Sequence, residues 1–388
     1  MKQLIVHGTP ELTQAALLDD GRLVEWDSQY SLDNQRAGSI YMGKITNVLP
    51  GMQAAFVDVG LTKNAFLYID DILPVNLDKQ PKVKPSITEL AEIGQILMVQ
   101  VSKEAEGTKG ARVTTHFSIP GRWIVYMPGA DYIAISRKIE DDPERQRLKQ
   151  IMGSLRRPGE GLIVRTGAHG QTEEAFWQDL QDLREQWQSI LHKSDETYEG
   201  PAQIYQDLDL LPRLARDVIS DDVTEVWIDN IRIYEELKSL IRDRSPQWQG
   251  KISLYEHKMP VFDHFRITEE LNRCFRRKIW LPSGGYLVLD QTEALTVIDV
   301  NTGKYTGEVN LEQTVYEINR EAAEEIPRLL RLRNIRGIII VDFIDMELET
   351  NRSSIMDLIT KAAWKDRSKT VVVGWTKLGL LEMTRKRK

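Results

Sequence analysis

Two stretches of the chain end a run of strand-forming residues abruptly on an acid. In LTVIDVNTG (Leu295 to Gly303), Leu295, Val297 and Ile298 lead into Asp299, with Asn301 and Gly303 following. In IIIVDFIDM (Ile338 to Met346), the apolar run reaches Asp342, and Asp345 stands three residues on. A carboxylate at the end of an apolar strand is partly desolvated, which costs free energy unless a cation or a donor meets it. Two carboxylates about 4 Å apart repel by roughly 4 kcal/mol at an intermediate effective dielectric. A divalent cation removes that repulsion, and an oxygen-only site suits magnesium, which takes one or two carboxylates and keeps several waters. The same spacing also fits a turn capped by Asp299 and a following segment capped by Asp342. The residues alone leave both explanations open.

The elements that must position these acids can be read from periodicity. From about Phe275 to the end, strands (YLVLDQ, LTVIDV, GIIIVDF, TVVVGW) alternate with helices over 312–333 and 351–366, an α/β pattern. Upstream, Phe176, Leu180, Leu183, Trp187 and Ile190 recur every three or four residues, which predicts an amphipathic helix over 173–193. A further helix is expected over 142–154, and a strand at GLIVRTG. After Pro212 the pattern reads helix, strand, helix. The N-terminal strands turn at Asp20-Gly21, a hairpin signal. Between them, IYMGKITNVLP, MQAAFVDVG, NAFLYI and ILMVQVSKE are short alternating strands around a proline- and lysine-rich loop, the pattern of a small Greek-key barrel.

Within that barrel, Ala55, Val57 and Val59 form one apolar row and Ala65, Leu67 and Ile69 another. Phe56 then points to the opposite face beside Ala54 and Asp58, and Phe66 and Tyr68 point outward from the neighbouring strand. Exposed rings on a polar face are explained by nucleic-acid bases, which stack on them for about 1 to 3 kcal/mol each. They are also explained by packing against a neighbouring subdomain. Arg165 and Thr166 follow a strand and open a glycine-rich turn. An arginine fork and free backbone N–H groups there suit a phosphate, although an arginine after a strand is more often simply at the surface.

Composition excludes several classes. The 388 residues allow two or more domains, and 41% hydrophobic with 28% charged residues is ordinary for a globular protein. No apolar run approaches membrane-spanning length, and the N-terminus lacks a secretory apolar stretch. The single cysteine, Cys274, cannot form an internal disulfide and reads as the buried face of a helix, which fits a reducing, cytoplasmic setting. The six histidines show no zinc spacing. A net charge of −7 does not advertise a nucleic-acid binder, but RNA contact needs only a local positive field. Two basic clusters exist, Arg328, Arg331, Arg333 and Arg336, and the terminal Arg385 to Lys388; a solvated helix face and a frayed tail account for them. No GxxxxGK[ST] loop is present, which argues against a nucleotide-driven motor.

The segments LPSGGYLVLDQTEALTVIDVNTG and LRLRNIRGIIIVDFIDM resemble the catalytic domain of the ribonuclease E/G family, and the resemblance extends from YMGKI to LGLLEM. It implies a multidomain α/β fold. An RNase H-like subdomain (1–38 and 212–274) is split by an inserted OB-fold barrel of the S-one type (39–117) and a 5′-end sensor subdomain (118–211). A DNase I-like catalytic subdomain (275–388) follows. It further implies that Asp299 and Asp342 hold a catalytic magnesium, with manganese as an alternative, and that Asn301 supports the site. Asp345, Arg320 and Lys304 lie near these motifs as weaker candidates. Phe56, Phe66 and Lys109 match RNA-contacting positions of the family's barrel. Arg165 and Thr166 match its 5′-monophosphate pocket, with Lys369 where the best-known members have arginine; lysine keeps the charge but loses the planar fork.

The implied activity is endonucleolytic cleavage of single-stranded, A/U-rich RNA in rRNA processing and mRNA decay. Products would carry 5′-phosphate and 3′-hydroxyl ends, and a substrate 5′-monophosphate would stimulate cutting. Family members usually continue into a CPxCxG-type zinc-link and a small dimerisation domain, whereas this sequence stops at Lys388. Either it is truncated or the lineage ends there. No zinc is expected in it, its homo-oligomeric state is open, and RNA held across two subunits would bind more weakly. A non-catalytic RNA-binding protein using the barrel is the main alternative, and loss of either strand-end aspartate would have pointed to it. A phosphodiesterase acting on small substrates is a third reading, but it needs no stacking barrel.

Overall fold

The computed structural model describes residues 1–30, 36–73, 84–105, 109–196, 200–219, 222–242, 248, 250–303 and 311–386. Most of the proline- and lysine-rich loop, Lys304 and the last two residues of the basic tail lie outside them. The chain divides into two compact units, Met1–Asp33 with Leu210–Lys388, and Asn34–Asp209.

The first unit contains two sheets. One has five strands in the order Ile252–Leu254, Val223–Ile228, Lys2–Gly8, Leu12–Asp19, Arg22–Tyr30. Its first three strands are mutually parallel, and the rest form antiparallel hairpins. The hairpin at Asp20-Gly21 uses positive φ at both residues (48° and 75°), the backbone that this dipeptide tolerates. Leu4, Val6, Val226 and Ile228 pack on one face with Leu214, Leu237 and Trp248 from the helices and turn beside it. Ile5, Ala16, Leu18 and Leu23 point the other way and join the core of the second sheet.

That second sheet has six strands in the order Lys278–Trp280, Tyr286–Gln291, Leu295–Asn301, Gly337–Asp342, Leu381–Arg385, Thr370–Trp375. Helices Leu311–Leu332 and Glu349–Trp364 cover one face through Ile318, Ala322, Ile326, Leu329, Ile355 and Ile359. Helix Leu311–Leu332 also contacts the Arg22–Tyr30 strand of the first sheet, so it lies between the two sheets with its last turns buried nearly all round. The opposite face of the six-stranded sheet is open: Val297 and Ile338 are exposed while their neighbours Ile298 and Ile339 are fully buried.

The second unit contains a closed barrel. Strands Ile40–Leu49, Ala54–Asp58, Ala65–Tyr68, Arg112–Thr114 and Ile96–Lys103 pair in a ring, the last returning to the first. Ala55, Val57, Val59, Ala65, Leu67 and Ile69 fill it, as their alternation predicts. Ala54 does not stay on the outer face with Phe56: it is fully buried, where the strand begins beneath Tyr68, its cross-strand partner. A four-stranded sheet (Ile133–Ile135, Glu160–Val164, Ile124–Pro128, Ile119–Pro120) packs against helix Glu173–Glu196 through Phe176, Leu180, Leu183 and Ile190, and against helix Asp142–Leu155 through Leu148 and Met152. No helix among the described residues is long and apolar enough to cross a membrane.

Candidate active site

Asp299 and Asp342 lie on adjacent parallel strands and are direct register partners. Alternation places both on the open face of the six-stranded sheet, while Ile298, Val300 and Val341 anchor the strands in the core behind them. The Asn301 side chain, two residues along the same face, donates from Nδ2 to Asp299 Oδ2 at 2.7 Å. Among the described residues no backbone amide donates to either carboxylate, so neither acts as the turn or segment cap that spacing allowed. Asp345 is no helix cap either, because helix Glu349–Trp364 starts after Leu348 without a side-chain cap. Burial pushes the Asp342 carboxyl above its ordinary range, and the charges of Asp299 and Asp345 push it further.

The arrangement is therefore a concentration of negative charge on a rigid surface, with oxygen donors only. Among the described residues no three of His, Cys, Asp and Glu cluster as a metal cage. Two carboxylates and an amide fit a magnesium ion that keeps most of its waters, and they do not fit zinc. Arg320 is exposed on helix Leu311–Leu332.

The expectation of a solvated helix face is corrected by the fold at Arg328, Arg331 and Arg333. Arg328 is 3% exposed, pairs with Glu325 at 2.5 Å and Glu270 at 2.9 Å, and donates to Leu23 O at 2.7 Å. Arg331 donates to Val24 O, and Arg333 to Cys274 O at 2.6 Å. These arginines tie the central helix to its two neighbours because that helix has little solvent-facing side left. Arg385 is likewise no part of a frayed tail: it sits in a strand and pairs with buried Asp366 at 2.6 Å.

In the barrel, Phe56 and Phe66 are register partners on neighbouring strands and half-buried, with ring centroids 5.9 Å apart in an edge-to-face arrangement. Lys109 is exposed, three residues before Arg112, which pairs with Phe66. The two rings thus sit side by side on neighbouring strands of the barrel.

Arg165 and Thr166 stand at the end of strand Glu160–Val164. Thr166 Oγ1 shares a hydrogen bond with Ser136 Oγ at 2.8 Å, and Arg165 donates to the Gly121 carbonyl. Sequence reasoning missed the residue that shapes this corner. Asp179, on the buried side of helix Glu173–Glu196, accepts from the backbone N–H groups of Arg122, Trp123 and Ile124 at 3.0, 2.8 and 3.0 Å. A Cβ at Gly121 would come within 2.7 Å of its carboxylate, so the loop can close onto it only with glycine there. An acid between Phe176 and Leu180 on an otherwise apolar helix face was the available signal. Lys369 belongs to the first unit, where it is exposed and its carbonyl accepts from Lys386 N at 2.9 Å.

Residues 118–388 match the ribonuclease E/G family. Ribonuclease G of Salmonella typhimurium (strain SL1344) is 41% identical over 390 residues, covering 99% of this chain and 80% of that protein. Ribonuclease G of Escherichia coli (strain K12) is 40% identical over the same length and coverage. Ribonuclease E of Nostoc sp. (strain PCC 7120 / SAG 25.82 / UTEX 2576) is 38% identical over 390 residues, covering 100% of this chain and 56% of that protein. With the acid-bearing strands falling inside the matched region and similarity running through nearly all of its length, the chain belongs to the ribonuclease E/G family.

Proposed function

We propose that this endoribonuclease uses the Asp299–Asp342 pair to hold magnesium, or manganese in its place, and cuts single-stranded, A/U-rich RNA internally. The observation that carries the reading is the in-register acid pair with Asn301 bonded to one of its members. When bound, the metal supplies positive charge against the scissile phosphate and makes water acidic enough to attack at neutral pH. Asn301 fixes the rotamer of Asp299, so that carboxylate needs little reorganisation to bind a cation. Water attacks phosphorus and the P–O3′ bond breaks, leaving 5′-phosphate and 3′-hydroxyl ends.

The rest of the chain positions the strand. Phe56 and Phe66 stack bases, and Lys109 neutralises a phosphate beside them. Arg165 and Thr166 take the 5′-monophosphate, held in place by the loop that Asp179 anchors. In this reading the barrel is an OB-fold of the S-one type (39–117). The four-stranded sheet and its helices form the sensor (118–211). The five-stranded sheet is RNase H-like (1–38 and 212–274), and the six-stranded sheet is DNase I-like (275–388). The cellular role is processing of rRNA and decay of mRNA in the cytoplasm.

The test is cleavage of an A/U-rich oligoribonucleotide with magnesium and with EDTA, by the wild type and Asp299→Asn. Magnesium-dependent internal cuts that the variant loses support the acid pair. Equal cutting in EDTA would overturn it.

A further inference from the structure

The open face of the six-stranded sheet carries more than acids. Its edge strand turns Ile279 into the core and presents Lys278 and Trp280 outward, with 49% of Trp280 exposed. Trp280 is the register partner of Tyr286, and Tyr286 of Asn301. In the next row, Lys278 faces Val288, Val288 faces Asp299, and Asp299 faces Asp342. Register partners share a face, so Tyr286 stands one strand spacing and Trp280 two, about 5 and 10 Å, from the acid-bearing strand.

The three edge residues form one cluster. The Trp280 and Tyr286 rings meet edge-to-face at 5.2 Å, and Lys278 Nζ lies 4.4 and 3.5 Å from their centroids. Gly303, two residues beyond Asn301, has φ +62° and passes so close that a Cβ there would come within 3.3 Å of both rings. A charged lysine is ordinary protection for an edge strand. That accounts for Lys278 but gives no reason for a half-exposed tryptophan, since Ile279 already fills the core.

We propose that Trp280 and Tyr286 form a stacking shelf for a base of the substrate RNA next to the bond cut at Asp299 and Asp342, with Lys278 swinging from the rings onto the adjoining phosphate. The proposal rests on the nuclease reading of the acid pair. Magnitudes favour the exchange. A base stacked on an aromatic ring gains about 5- to 150-fold in affinity. An exposed cation over a ring gains about 2- to 5-fold, and the ammonium recovers that at the phosphate.

The experiment measures RNA affinity in EDTA by fluorescence anisotropy, for the wild type, Trp280→Ala and Trp280→Phe, all checked for equal unfolding midpoints. The probes are one A/U-rich single-stranded RNA and a series carrying one abasic nucleotide at each successive position along it. The alanine variant is expected to bind the intact RNA about 5- to 150-fold more weakly, phenylalanine to restore most of the loss, and wild type and alanine to bind alike at one abasic position. Equal affinity for the intact RNA, or a loss that persists with every abasic probe, would overturn the shelf. Magnesium is then added to the same mixtures. The abasic signature without any cutting would leave the shelf standing and remove the nuclease reading.

Discussion

Asp299 and Asp342 oppose each other residue for residue across two parallel strands, on a face that the core behind them holds still. Strand spacing alone brings such carboxylates within about 5 Å. Burial and the neighbouring charges act in one direction on Asp342, raising its proton affinity in the absence of a cation. A divalent ion bound there, as proposed, would relieve both acids at once.

Replacing either acid by asparagine keeps the shape and removes the charge that a cation needs. Asp299→Asn and Asp342→Asn are each expected to lower the cutting rate by about a hundredfold or more, since a lost metal site removes several kcal/mol of transition-state stabilisation. RNA affinity in EDTA should stay level or rise, because a repelling charge is gone. Either variant keeping more than a tenth of the wild-type rate would contradict the shared site.

Asn301 is bonded to Asp299, and in the proposed site it acts through that carboxylate. Asn301→Ala should therefore shift the magnesium concentration for half-maximal cutting upward by about 10- to 100-fold, with much of the rate recovered at saturating magnesium. A fall in the saturated rate with no change in the magnesium requirement would place Asn301 on the RNA instead.

In the barrel, Phe56→Ala and Phe66→Ala are each expected to weaken binding of single-stranded RNA by about 1 to 3 kcal/mol. Their rings touch edge-to-face, so truncating one also loosens the other. The double variant should fall short of the sum by about 0.5 to 1.5 kcal/mol. Strict additivity, measured by the same anisotropy titration, would mean that the two rings bind independently.

At the second unit's corner, Arg165→Gln and Thr166→Val should leave cutting of a 5′-hydroxyl RNA unchanged and abolish the advantage of a 5′-monophosphate RNA. The ratio of the two rates is the readout, and a ratio that stays at the wild-type value would remove the phosphate assignment from these residues.

The legible parts of the chain are those where one local rule decides. Helix Glu173–Glu196 was readable from Phe176 onward because its apolar positions recur at helical spacing against a single sheet. The acid pair was readable because both strands stop being apolar at the same point of the pattern. Arg328, Arg331 and Arg333 misled because the four-arginine cluster looks solvated in sequence, yet its helix is enclosed by two sheets far apart in the chain. Asp179 showed in sequence only as an acid on an apolar helix face, because its partners are backbone amides more than fifty residues upstream. Trp280 gave no signal, since an aromatic in a three-residue strand reads as core until the register shows which face it occupies.

The enclosed arginines also give the first unit an acid-labile joint. Glu270, bonded to Arg273 at 2.7 Å and paired with Arg328 at 2.9 Å, has its carboxyl held down at about 2, chiefly by the Arg273 hydrogen bonds, against burial that pushes upward from an ordinary 4.5. A depressed folded-state value means that the unfolded chain binds the proton first. The pair's contribution is therefore complete above about pH 4.5 and lost as pH falls through about 2. Because 25% of the Glu270 side chain meets solvent, the contribution is about 2 kcal/mol, less than the full shift implies. Hydrogen exchange in helix Leu311–Leu332 reads it locally, comparing wild type with Glu270→Gln at each pH so that intrinsic exchange cancels. Protection in the wild type should exceed that of the variant by about 30-fold at pH 6, and the excess should shrink steadily below pH 4.5. An excess that stays constant down to pH 2.5 would show that the titrating charge on Glu270 is not its source.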